Sequence, residues 1–150
     1  MPDPKLLRIV KDIAARVETV KVASGFYTDV GSRVERGNFI FNEEDVPASA
    51  VFLQGGDNGG KAGDGIKTDP VLTIRASHIY TANAEDLAIQ MLADIHKAVE
   101  IKTPFVPGPT DIIDKIAEQS WQITYPEDAS SMVSVEVNYS FSYSRKYGED

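Results

Sequence analysis

The segment Val133-Ser134-Val135-Glu136-Val137-Asn138-Tyr139-Ser140-Phe141-Ser142-Tyr143 alternates apolar and polar side chains without a break. Period two over this length is the signature of a strand with one buried face, because successive side chains on a strand point to opposite sides. Working backwards, Pro126-Glu127-Asp128-Ala129-Ser130 reads as a hairpin loop, and residues 121–125 before it as the partner strand. Residues 71–80 give a second long alternation, with Leu72, Ile74, Ala76, His78 and Tyr80 on one side. Shorter strands are expected around residues 33–36 and 50–54, the second more fully buried.

Two helices accompany these strands. Leu6, Ile9, Val10, Ile13, Val17 and Val20 recur at helical spacing after Asp3-Pro4, a pair suited to a helix start. This predicts a helix capped by Asp3 and ending near Val22. Asn83 opens the second, with Glu85 and Asp86 in the first turn where the helix dipole favours them. Leu87, Ala88, Met91, Leu92, Ile95, Ala98 and Val99 form its apolar stripe, with Lys97 and Lys102 near its negative end. Pro104, Pro107, Gly108 and Pro109 stop it, and a short helix is expected over residues 111–118. The expected fold is α+β: a two-layer domain with an antiparallel, meander-like sheet and two long helices on one face. Residues 55–67 hold six glycines and read as a flexible loop, and residues 144–150 as a frayed tail.

The 150 residues suit one domain, 1–150, burying roughly 70% of the surface its unfolded chain would expose. A net charge of -8 with scattered Lys and Arg disfavours a general nucleic-acid binder. An acidic lining would instead let DNA slide past without sticking. The chain has no cysteine, which removes disulfides and thiolate chemistry. Its polar start, Met1-Pro2-Asp3-Pro4-Lys5, does not read as a signal peptide, so the expectation is a protein made in the cytoplasm.

Motifs suggestive of chemistry fall short. Gly55, Gly60 and Lys61 match most of a phosphate-binding loop, but Ala62 stands where magnesium needs a hydroxyl and no helix follows. Asp57, Asn58, Asp64 and Asp69 lack the spacing of a calcium loop. His78 and His96 are read as having no carboxylate at a metal-ligand spacing. No Gly-x-Ser-x-Gly elbow occurs, and the acidic pairs near Glu43 and Glu127 lie in polar connections. No catalytic, cofactor-binding or metal residue is therefore expected, and the chain is not read as an enzyme.

The stretch Ser24-Gly25-Phe26-Tyr27-Thr28-Asp29-Val30-Gly31, the strand through Val34, the acidic step to Pro47, the long strand to Tyr80 and the closing strand through Tyr139 follow one another in an order that resembles the tail terminator proteins of tailed bacteriophages. The resemblance spans nearly the whole chain. It implies a virion subunit that forms a ring, hexameric in that family. Such a ring caps the head-proximal end of the tail tube, stops tube polymerisation and joins the head or neck. The implied partners are further copies of the chain, the tail tube protein, a neck or head-completion protein and, in a contractile tail, the sheath protein, with genome DNA passing the lumen unbound. Phe39, Phe41 and Tyr147 are the expected ring or tube contacts. Two alternatives remain: a neck or tail-completion connector on the portal side, and a small-molecule-binding α+β domain.

Overall fold

The computed structural model describes residues 3–63, 65–100 and 116–148, with Lys61 and Ala62 described by their backbone alone. Its elements in order are α1 (Lys5–Val17), β1 (Val34–Arg36), β2 (Ala48–Ala62), β3 (Gly65–Ile79), α2 (Ala84–Val99), β4 (Ile116–Thr124), β5 (Met132–Phe141) and β6 (Tyr143–Lys146). The fold is mixed α+β: two helices and a six-stranded sheet of order β1-β2-β3-β5-β4, with β6 continuing along β3 where β5 stops. The sheet is not wholly antiparallel, because β1 runs parallel to β2 while the other pairs are antiparallel.

The closing alternation forms β5, with Val133, Val135, Val137, Tyr139 and Phe141 all buried. Together with Leu72, Ile74 and Ala76 of β3 they meet Ile9, Val10, Ile13, Ala14 and Val17 of α1 and Ala88, Met91, Ile95, Ala98 and Val99 of α2 in one core. Burying each large apolar side chain contributes roughly 1.5–3 kcal/mol, which outweighs local helix propensity in fixing the two helices. α2 begins as expected, with the Asn83 side chain accepting from Asp86 N at 3.0 Å.

α1 departs from expectation at both ends. Asp3 makes no cap; its carboxylate takes the Lys11 ammonium at 2.5 Å, and Pro4 stands at the N-cap. The helix stops at Val17, because Val20 N turns back to Val17 O and the chain at Gly31 packs onto that end, Gly31 N donating to Val20 O at 2.9 Å. A Cβ on Gly31 would lie 2.3 Å from Val17 O and 2.7 Å from Val20 O, so only glycine fits there. Val20 is nonetheless fully buried.

The glycine-rich stretch 55–67 is not a loose loop. β2 and β3 pair from Ala48↔Ser77 out to Ala62↔Gly65, with register shifts at Leu53/Gly55 and Asn58/Gly60. Backbone ladders need no side chains, and the shifts fall where glycine relieves the bulge; Gly60 has a φ of 99°. The tail expected to fray from residue 144 is paired over its first three residues, since Tyr143–Lys146 runs along the far end of β3 from Thr68↔Tyr143 to Gly65↔Lys146. The result is a three-stranded ribbon, with the Ser142 hydroxyl donating to Asp69 Oδ1 at 2.5 Å where β5 gives way to β6. Strand β4 occupies residues 116–118, where the end of a short helix was expected. The remainder of that helix, residues 111–115, Lys102 and the prolines from Pro104 to Pro109 lie outside the described residues.

Candidate interaction surface

One sheet face, away from the main core, carries a polar lattice. The pairs Ala50↔Arg75↔Glu136↔Gln122 form one row across four strands. Arg75 Nε donates to Glu136 Oε1 at 2.7 Å, and Gln122 Nε2 reaches Glu136 Oε2 at 3.5 Å. The next row runs through Thr73, Asn138 and Ser120, joined by bonds of 2.6 and 2.9 Å. Such cross-strand pairs stabilise the pairing of neighbouring strands.

At the β1–β2 margin, residues 37–41 fold over this face. Arg75 Nη1 donates to Asn38 Oδ1 at 2.9 Å and to the Phe39 carbonyl at 2.8 Å, while its guanidinium lies 5.1 Å above the Phe52 ring. Phe41 is buried with Ala48, Ala50 and Phe52 in a second small apolar cluster, so of the three expected contacts it serves as a floor inside the chain and not as an outward group. Phe39 stacks on it, ring centroids 6.4 Å apart, and remains 45% exposed. Ile40 beside it is 82% exposed. Arg33 lies 5.5 Å over the Phe41 ring and bonds Glu35 and Asp45. The Asp45 carboxyl is held below its ordinary range by the Asn42 backbone N–H and then by Arg33. A shallow groove of about 360 Å³ opens here, bounded by Val10, Arg36, Asn38, Phe52, Leu53 and Gln54. β1 covers β2 only from Ser49 to Val51, so β2 beyond it is an open strand edge among the described residues.

The opposite margin is β4, paired with β5 on one side only. Trp121 is 52% exposed there and Tyr125 about as much, and Ile89 of α2 is likewise exposed. Two ties bind α2 to this margin: Tyr125 Oη, just past the end of β4, donates to Glu85 Oε2 at 3.1 Å, and His96 contacts Glu118 on the strand. Tyr147, the third expected contact, is exposed just past β6 at the ribbon, far in sequence from Phe39 and on a different element. The structure thus places Phe39 and Tyr147 outward but does not join them into one site.

Asp94 carries a structural feature that periodicity hid. It occupies a buried position on α2 and accepts from Tyr27 N at 3.0 Å, Thr28 N at 2.8 Å and Thr28 Oγ1 at 2.6 Å. This pins the Gly25–Gly31 stretch to the helix, helped by Lys97, which donates to the Gly25 carbonyl at 3.2 Å and lies over the Phe26 ring. A polar residue in the apolar stripe of a predicted helix was the available signal.

The phosphate-loop-like residues Gly55, Gly60 and Lys61 lie within β2, which turns into β3 and not into a helix. Asp57 faces Asp69 across the ladder, while Asp64 lies outside the described residues. No helix among the described residues is long and apolar enough to cross a membrane. Set against known proteins, the chain matches no family model and no curated sequence.

Proposed function

We propose that the chain is a tail-terminator-like subunit of a tailed bacteriophage, forming a ring that caps the head-proximal end of the tail tube, halts its polymerisation and offers a joining surface to the neck. The observation that carries this reading is the pair of unlike apolar margins at opposite ends of one sheet: Phe39, Ile40 and Leu53 beside the open edge of β2, and Trp121 on the edge strand β4 with Tyr125 just past its end. A closed ring built head to tail needs two different patches on each subunit, one for each neighbour. Open strand edges are stable in solution only when short, charged or covered, and ring closure covers both.

The domain is read as two layers, with both helices on one face of a sheet made of the hairpins β2–β3 and β4–β5; the shared core of α1, α2 and the sheet supports it, while the insertion of β5 between β3 and β4 departs from the expected meander. The ribbon of β2, β3 and β6 then supplies the reach toward the tube protein or the adjacent ring, with Tyr147 at its tip, next after Lys146. Further copies of the chain, the tube protein and the neck protein are the partners, with the sheath protein added in a contractile tail. The function is non-enzymatic capping by surface complementarity, carried out in the virion, with DNA passing an acidic lumen.

Disrupting the gene in its phage and imaging the lysate tests this. Overlong tails without heads are expected. Tails of normal length lacking heads would move the protein to the neck, and normal virions would overturn the structural role.

A further inference from the structure

His96 and Glu100 stand one turn apart at the C-terminal end of α2, and Glu118 reaches them from β4. One ligand atom from each lies within 4.8 Å of those of the other two. His96 Nε2 touches the Glu118 carboxylate, yet it is buried and has no aligned hydrogen-bond partner.

A second observation concerns the floor of this cluster. Glu118 is the cross-strand partner of Tyr139, whose side chain is fully buried and whose hydroxyl has no hydrogen-bond partner. Cross-strand partners present their side chains on the same side of the sheet, which sets the unpartnered Tyr139 phenol beside Glu118. Two carboxylates gathered at the negative end of a helix repel each other and the dipole, and among the described residues His96 is the one ion-pair partner of either. A divalent cation reverses every one of these penalties.

We propose that His96, Glu100 and Glu118 bind one zinc-type divalent cation, with Tyr139 donating its hydroxyl to a coordinating carboxylate. An imidazole with two carboxylates matches zinc better than calcium or magnesium, which prefer all-oxygen shells of higher coordination. Ligand atoms around zinc stand about 3–4 Å apart, so side-chain rotation of about 1 Å closes the set. Glu100 is exposed, which leaves an entry path and a fourth position for water. The ion would lock the end of α2 to edge strand β4, next to the margin carrying Trp121. This assignment is independent of the capping role.

The test is calorimetric titration of zinc into the untagged, chelator-treated full chain, repeated with Glu100→Gln and Glu118→Gln. Circular dichroism confirms that each variant is folded, and Glu100→Gln at an exposed helix end is expected to fold normally. The expected result is one zinc per chain, at least about 100-fold weaker in either variant, and a rise in Tm with zinc in the wild type alone. Absence of binding in the wild type, or equal binding in wild type and Glu100→Gln, overturns the proposal.

Discussion

Replacing Asp94 by Ala strips three donors of their acceptor at once. Two of them, Thr28 N and Thr28 Oγ1, belong to a residue only 3% exposed, so water does not take over. The third, Tyr27 N, belongs to an exposed residue and rehydrates. A buried donor left unsatisfied costs about 1–3 kcal/mol, and bonds to a charged acceptor sit at the upper end of the net range. Relief of the carboxylate's own desolvation offsets part of the loss, leaving about 3–5 kcal/mol. With an unfolding entropy of about 2.1 cal/mol/K per residue over a chain of this length, that lowers Tm by roughly 10–15 °C. Thr28→Val, which deletes one hydroxyl and keeps the shape, is expected to cost about 1 kcal/mol. Urea and thermal melts followed by circular dichroism, with chelator present, measure both. If Asp94→Ala falls within about 1 kcal/mol of wild type, or costs no more than Thr28→Val, the carboxylate is not what holds the Gly25–Gly31 stretch on α2.

Three further outcomes are expected. Gly31→Ala drives a methyl into the carbonyls of Val17 and Val20 and destabilises by about 3 kcal/mol or more, read as a lower urea midpoint; a change below about 1 kcal/mol would mean that the turn after α1 gives way freely. Ile40→Asp leaves Tm within about 2 °C of wild type, since the residue is almost wholly exposed, but fails to restore normal tail length when supplied to the gene-disrupted phage; full restoration removes the β1–β2 margin from the ring contact. Asp45 has a folded pKa below its ordinary value of 3.8, so its stabilising effect is present above that value and is lost as pH falls through the folded pKa. Wild type therefore exceeds Asp45→Asn in stability at pH 6, and the gap closes below pH 3.8; acid melts that show a constant gap contradict the assignment.

The elements with a strong apolar period were legible in the sequence. Alternation from Val133 onward marked β5, and helical spacing marked α1 and α2, because burial against one face imposes those periods. What was not legible depends on pairing. The ribbon 55–67 owes its form to ladder bonds with β3, so glycines that argue for a loop in isolation sit comfortably in a strand. The parallel pairing of β1 leaves no local mark, and the burial of Phe41 depends on Ala48 and Phe52, brought close by that pairing. Of the proposed cation-binding set, His96 and Glu100 stand one helical turn apart, a spacing that was passed over in reading no carboxylate near either histidine, and Glu118 comes from a strand distant in sequence.

The ribbon separates reach from chemistry. Its length is fixed by hydrogen bonds between main chains, while Asp57 and Asn58 project into solvent and pack against no core. Under the proposed capping role, substitutions at those two positions would alter what the ribbon meets without altering how far it extends. A lineage meeting a new binding surface has there a part of constant dimensions whose face is free to be rewritten.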